Sequence, residues 1–224
     1  MSGYASVHGT DNDDLIDTTP FGNRNDYIDA KDGNDTIETG GGFDIIYAGS
    51  GKDLVYAGND NDTIFGGAAQ DELYGESGDD YIDGGNTKDE LFGGDGNDTL
   101  LGSQGSDTIV GGNGDDVMSG DAGTVGSTPG GGGSGSGNTA EDVFYFEDQF
   151  GSDVITDFDL DNDKLEFPED INGLDIEEPS DLAGYISEVA GNAVISFPNG
   201  DSVTLQGISA QDLLDNLDDV VNIV

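Results

Sequence analysis

From Phe21 to Ser119 the chain repeats one nine-residue phrase without a gap, and this period limits the fold more than any other feature. Cut at every ninth residue it reads FGNRNDYID, AKDGNDTIE, TGGGFDIIY, AGSGKDLVY, AGNDNDTIF, GGAAQDELY, GESGDDYID, GGNTKDELF, GGDGNDTLL, GSQGSDTIV, GGNGDDVMS. The sixth place is always aspartate: Asp26, Asp35, Asp44, Asp53, Asp62, Asp71, Asp80, Asp89, Asp98, Asp107 and Asp116. The eighth is always aliphatic or Met, from Ile28, Ile37, Ile46 and Val55 to Ile109 and Met118. A further, offset copy is expected from His8 to Ile16, carrying Asp13 and Leu15, with Asp17 to Pro20 separating it from the run. Each unit has a turn half rich in Gly, Asn and Asp, and a strand half such as Asp53-Leu54-Val55-Tyr56. Glycine at places one, two and four permits positive φ and close backbone approach. The three or four residues after the aspartate suit a short strand whose eighth-place side chain points inward, one such residue per unit. So short a strand cannot bury its face alone. Neighbouring units must therefore stack, as in a solenoid.

The acids are too many for an ordinary surface. The chain has 49 acidic against 5 basic residues, a formal charge of −44, which argues against a nucleic acid or an anionic membrane surface as partner. Such charge with 33% hydrophobic residues would ordinarily mean disorder, but the regular spacing of the acids describes a polyanion awaiting cations. With no cysteine, no disulfide staples the fold. Met1 to Asp14 has neither a basic nor an apolar signal-peptide region, and no apolar run approaches a membrane span.

The units resemble the repeats-in-toxin (RTX) nonapeptide G-G-x-G-x-D-x-U-x, a calcium-binding β-helix pattern. That resemblance implies an all-β architecture: a parallel β-roll with two units per turn, its two sheets joined by calcium-binding loops. Calcium takes six to eight oxygens at about 2.3–2.6 Å, and a Gly-rich turn ending in aspartate offers carbonyls and a carboxylate. With two units per turn, one row of loops holds Asp26, Asp44, Asp62, Asp80, Asp98 and Asp116. The other holds Asp35, Asp53, Asp71, Asp89 and Asp107, with Asp13 as a candidate member. Five neighbouring pairs per row give up to about ten Ca2+ sites. The candidate carbonyl donors are glycines at places two and four, among them Gly40, Gly42, Gly49, Gly51, Gly94, Gly96, Gly112 and Gly114. Glycine is replaced at place four by Asp11, Arg24, Asp60, Ala69 and Thr87, where site geometry is expected to suffer.

The chain divides into a polar lead (1–7), the β-roll (8–120), a Gly/Ser-rich loop or linker (121–140), a β-rich capping module (141–208) and a tail (209–224). In the capping module, strands are expected at 142–146, 153–158 and 164–167, then a hairpin with arms at 193–197 and 202–205. Six of the ten phenylalanines fall between Phe144 and Phe197, which places the larger apolar core there. The phrase DVITDFDLDNDKLEF resembles the module that closes the β-roll of serralysin-type proteases. By that likeness Asp153 and Asp157 hold one more calcium; a capping turn with solvated carboxylates is the other reading. Ser209 to Val221 reads as an acidic amphipathic helix, and the tail resembles a type I secretion signal.

With a single histidine, no His-Glu-x-x-His can form, and no Gly-x-Ser-x-Gly elbow exists, so no enzyme activity is expected. The reading is a secreted, extracellular or surface-associated protein that folds on calcium and is exported by a type I transporter. Its uses divide into a structural or adhesive role, with a cell-surface glycan or a second copy as partner, and an accessory, carbohydrate-binding module of a larger secreted enzyme. An ice-binding roll would need a file of like side chains, and place three (Asn23, Asp32, Gly41, Ser50, Asn59, Ala68) is no such file.

Overall fold

The computed structural model describes residues 4–121 and 140–224, so most of the expected linker lies outside the described residues. In chain order the strands are β1 (Ala5–His8), β2 (Leu15–Asp17), β3 (Asp26–Asp29), β4 (Thr36–Gly41), β5 (Ile45–Ser50), β6 (Leu54–Asn59) and β7 (Thr63–Ala68). There follow β8 (Glu72–Ser77), β9 (Tyr81–Asn86), β10 (Glu90–Asp95), β11 (Thr99–Gln104), β12 (Thr108–Asn113) and β13 (Val117–Asp121). The C-terminal part adds β14 (Val143–Tyr145), β15 (Ser152–Ile155), β16 (Lys164–Phe167), β17 (Ile186–Val189), β18 (Asn192–Ser196), β19 (Ser202–Leu205), α1 (Ala210–Val220) and β20 (Val221–Ile223). Odd strands β1 to β15, then β19, β18 and β17, form one sheet; even strands β2 to β16, then β20, form the other. Neighbours within the repeats are parallel, with Ile46 beside Ile64 and Val55 beside Leu73, so two units make a turn. The chain is a parallel β-roll.

Burial explains the register. Eighth-place side chains stack into two ladders: Ile28, Ile46, Ile64, Ile82, Leu100 and Met118 in the odd sheet, and Ile37, Val55, Leu73, Leu91 and Ile109 in the even sheet. All are fully buried, as period-two alternation against a closed interior requires. Two expectations need correction. Strands β4 to β12 are six residues long and run from the seventh place into the third place of the next unit, as in Thr63–Ala68. Three places per unit face inward, not one: the sixth and eighth, and also the first, which from Ala30 onward takes Ala, Thr or Gly (Ala30, Thr39, Ala48, Gly66, Gly93). The first place has no room for more, because a Cβ on Gly93 would lie 2.3 Å from Asp98 Oδ2 and 2.4 Å from the Gly111 carbonyl.

The first unit also sits one residue later than the sequence suggested. Leu15 pairs with Thr36 and Ile16 with Ile37; Ile16 is 7% exposed while Leu15 is 75% exposed. The unit is therefore Gly9 to Asp17, with Asp14 at its sixth place. Shifting a strand by one residue turns every side chain to the other face, so the buried isoleucine decides the register. Part of the polar lead is itself a strand, since β1 pairs with β3.

Both sheets continue into the C-terminal residues. Ile109, Phe144, Leu165 and Val221 extend one ladder; Met118, Ile155 and Leu205 extend the other. The hairpin of β18 and β19 forms as expected, and β17 adds a second antiparallel pairing. Phe144, Phe146, Phe150, Phe158, Phe167 and Phe197 are all buried, and the Phe146 ring lies 5.0 Å from both Phe150 and Phe167. Helix α1 is capped by Ser209, whose hydroxyl accepts the Asp212 N–H, and buries Leu213, Leu217 and Val220. Among the described residues no helix is long and apolar enough to cross a membrane.

Candidate metal centre

Each sixth-place aspartate closes a strand-to-strand turn, and the solenoid places these residues in two rows. In each row the Asp backbone N–H donates to Oδ1 of the aspartate one turn later. In the odd row the bonds run Asp26 to Asp44 (2.6 Å), Asp44 to Asp62, Asp62 to Asp80 and Asp80 to Asp98 (2.7 Å each), and Asp98 to Asp116 (2.8 Å). In the even row they run Asp14 to Asp35, then through Asp53, Asp71 and Asp89 to Asp107, at 2.7–2.9 Å. The second oxygen is different. Oδ2 of Asp26, Asp35, Asp44, Asp53, Asp62, Asp71, Asp80, Asp89, Asp98, Asp107 and Asp116 is buried and accepts no hydrogen bond. Leaving one such oxygen dry costs on the order of 1–3 kcal/mol, more when charged, and here the cost recurs at every half-turn.

The turns that lead into these aspartates stack their backbone carbonyls from one turn to the next. A Cβ on Gly96 (place four, φ 138°) would lie 2.1 Å from the Gly78 carbonyl of the previous turn. A Cβ on Gly94 (place two, φ 117°) would lie 2.0 Å from the Glu76 carbonyl. Gly42, Gly49, Gly51, Gly112 and Gly114 make the same approach, and Gly58 stands in it over Gly40. Carbonyl oxygens thus stack in columns at places two and four. Place two carries positive φ even where glycine is absent, at Lys31, Glu76 and Ser103, and place four does so at Asp60, Ala69 and Thr87. Arg24 departs from this, and its Nε instead donates to Asp26 Oδ1 at 2.7 Å. Among the described residues no three acidic or imidazole side chains converge on a point, and the oxygens these loops offer are single carboxylates and backbone carbonyls. Hard oxygens of this kind suit calcium.

Burial pushes these carboxyls up: Asp44, Asp53 and Asp116 to about 6, Asp71, Asp80, Asp98 and Asp107 to about 7, Asp62 and Asp89 to about 8. The N–H from the preceding turn pulls each back, and neighbouring carboxylates add their repulsion to the burial. A divalent ion reverses that balance.

Of the remaining candidates, Asp13 stands at the fifth place, where its Oδ1 accepts the Asn34 N–H at 2.9 Å. It begins an outer ladder on the even side, where Asn34 Oδ1 accepts the Lys52 N–H; a like ladder on the odd side runs from Asp79 through Asn97 to Asp115. Asp153 continues the odd row, capping the Asp116 N–H at 3.1 Å with its own Oδ2 orphaned. Asp157 has different partners: Oδ1 accepts from Gly120 N–H, and Oδ2 from the Ser119 hydroxyl and Asp121 N–H. Sequence reading missed Asp14, Asp142 and Asp163, which hold sixth-place positions in the even row. Aspartate two residues before an inward apolar residue (Asp142 and Phe144, Asp163 and Leu165) was the available signal.

Four copies of the RTX calcium-binding nonapeptide repeat match the chain, over residues 22–55, 29–64, 56–91 and 92–124. Residues 22–124 are RTX repeats. The orphan aspartate oxygens and carbonyl columns of these RTX loops therefore lie in a family of calcium-binding turns. Curated proteins give no significant match to the chain. Among solved structures the chain is similar to the extracellular lipase LipA from Serratia marcescens, at 19% identity and a TM-score of 0.39. The similarity covers 100% of this chain but only 41% of the lipase.

Proposed function

We propose that this chain is a calcium-binding module that folds when calcium fills the RTX loops, and that it works outside the cell as a non-catalytic, structural or adhesive unit. The repeated buried, unpartnered Oδ2 is the observation that carries this reading. The sixth-place aspartates from Asp26 to Asp116 would hold the ions with the carbonyls of places two and four. Calcium supplies the positive charge that two rows of buried carboxylates lack. Because the unfolded chain has no preformed site, metal affinity becomes folding free energy. Extracellular calcium modules bind at about 10⁻⁴–10⁻³ M, so a chain of charge −44 would stay loose in calcium-poor cytosol and fold on release. Export through a type I transporter, with residues 209–224 as its signal, accords with that sequence of events. Calorimetric titration tests the reading. Several ions per chain, and a loss of affinity in Asp98→Asn, are expected; a chain that takes up none refutes it.

A second reading, an accessory glycan-binding module of a larger secreted protein, is favoured by one observation. Tyr56, Tyr74 and Phe92 form a half-exposed ring stack on the outer face of the even sheet, at 4.9 and 4.6 Å between centroids. Beside it runs a groove lined by Phe92, Val110, Tyr145 and Glu147. Binding to a glycan array that Phe92→Ala weakens would favour this reading over a purely structural role.

A further inference from the structure

The two aspartate rows have four ends, and among the described residues three are met by a counter-charge or by hydrogen-bond donors of the chain's own. The odd row begins at Asp26, where the Arg24 guanidinium brings a positive charge to Oδ1 while Oδ2 accepts no hydrogen bond. The even row begins at Asp14, whose Oδ2 accepts from the Thr10 hydroxyl and the Thr10 N–H. The even row ends at Asp163, where both oxygens are taken: Oδ1 by the Asp142 N–H at 3.2 Å and Oδ2 by the Asp159 N–H at 2.8 Å. The fourth end, at Asp153, has no such closure.

Residues 148–153 lie beyond the matched repeats but keep the loop shape of one. Gln149 carries φ 67° and Gly151 φ 84°, at the second and fourth places before Asp153. A Cβ on Gly151 would lie 2.0 Å from the Gly114 carbonyl, as one on Gly114 would lie 1.9 Å from that of Gly96. In the next strand Val203 pairs with Asp153, so the sixth-place carboxylate is missing there. The same register sets Asp201 opposite Gly151, next to Ser202, whose N–H donates to the Gly151 carbonyl at 2.7 Å. Asp201 is only 9% exposed and Asp153 1%, and Oδ2 of each is buried without a hydrogen-bond partner. The charges bearing on Asp153 are those of Asp116, Asp115 and Asp201, all negative. Two buried orphan carboxylates, the charge of one bearing on the other, beside a stacked carbonyl column call for a hard divalent cation.

We propose that Asp153 and Asp201 hold a further calcium ion, outside the repeats, that closes the odd row and pins the β18–β19 hairpin to the last turn of the roll. The proposal rests on the calcium reading above. Asp201 supplies from the hairpin turn the carboxylate that a following repeat would have supplied, and Val203 ends the row.

Calcium counted by equilibrium dialysis on the full chain, with hydrogen exchange of the hairpin amides, tests it. Asp201→Asn is expected to bind one ion fewer than wild type and to exchange faster in β18 and β19. Asn199→Ala removes the side chain that accepts the Asp201 N–H, loosening the turn while keeping the carboxylate, and is expected to keep the full count. An undiminished count in Asp201→Asn overturns the proposal, and so does loss of an ion in both variants, which would place the effect in the turn. In wild-type crystals, anomalous signal from bound calcium is expected between the two side chains; its absence overturns the proposal even if Asp201→Asn does not fold. Failure of the broader reading is distinct, because the wild-type chain would then bind no calcium at all.

Discussion

At Thr87 a β-branched residue stands where the loop demands φ 78°, and Ala69 one turn earlier holds φ 77°. Such conformations cost on the order of 1–3 kcal/mol for a non-glycine residue. Thr87→Gly is therefore expected to lower the calcium needed for folding, by roughly tenfold to a hundredfold if the strain is fully relieved. A calcium titration of the variant beside wild type checks this, and an unchanged midpoint would mean the loop carries no strain there. The interior ladder makes the opposite demand. Ile64 is fully buried between Ile46 and Ile82, so Ile64→Ala should cost roughly 2–5 kcal/mol in denaturant unfolding at saturating calcium. A cost below about 0.5 kcal/mol, as at exposed positions, would put the side chain in solvent. Sixth-place aspartates and eighth-place aliphatics were legible in the sequence because each recurs at a fixed spacing. The inward first place was not, because glycine shows no side chain to betray its direction. Positive φ at place two was hidden at Lys31, Glu76 and Ser103 for the related reason that a φ angle leaves no mark when a non-glycine residue adopts it.

Strands and loops carry the next level of specification. The nonapeptide period announced the roll, yet strand length and the first register were decided by packing. Ile16 and Leu15 are equally apolar, and only the closed interior selects Ile16. The continuation of the sheets through β14, β15 and β16 was obscured because these units keep little more than an aspartate and an inward apolar residue. The tail illustrates the same limit. Its amphipathic pattern was readable, but β20 pairs with β16, and Leu213, Leu217, Val220 and Val221 are buried. Deleting Asp212 to Val224 is therefore expected to reduce hydrogen-exchange protection in β16 and β18. Protection in β4 to β10, at the far end of the roll, should persist in calcium. Unchanged protection in β16 would mean that the helix and last strand do not support the cap.

Over the whole molecule, the charge of −44 and two buried carboxylate rows make metal and proton competitors for the same oxygens. The ordinary aspartate value is 3.8, and burial raises Asp71, Asp80 and Asp98 to about 7 in the metal-free fold. A raised carboxyl binds its proton more tightly folded than unfolded, so the metal-free fold loses stability as pH climbs from about 4 through 7. Acidifying a chelated sample from pH 7 towards 4 should therefore favour β structure, and calcium binding near pH 7 should release protons, measurable as a buffer-dependent heat. No proton release, with acid leaving the chelated chain unfolded, would count against the raised carboxyls. The central claim is that the roll depends on calcium. Far-ultraviolet circular dichroism at pH 7 and low ionic strength, read first in chelator and then with rising calcium, addresses it most directly. The account predicts a coil spectrum in chelator, a cooperative change to β structure as calcium reaches the millimolar range, and reversal when chelator is restored. A full β spectrum in chelator, unchanged by calcium, would contradict it.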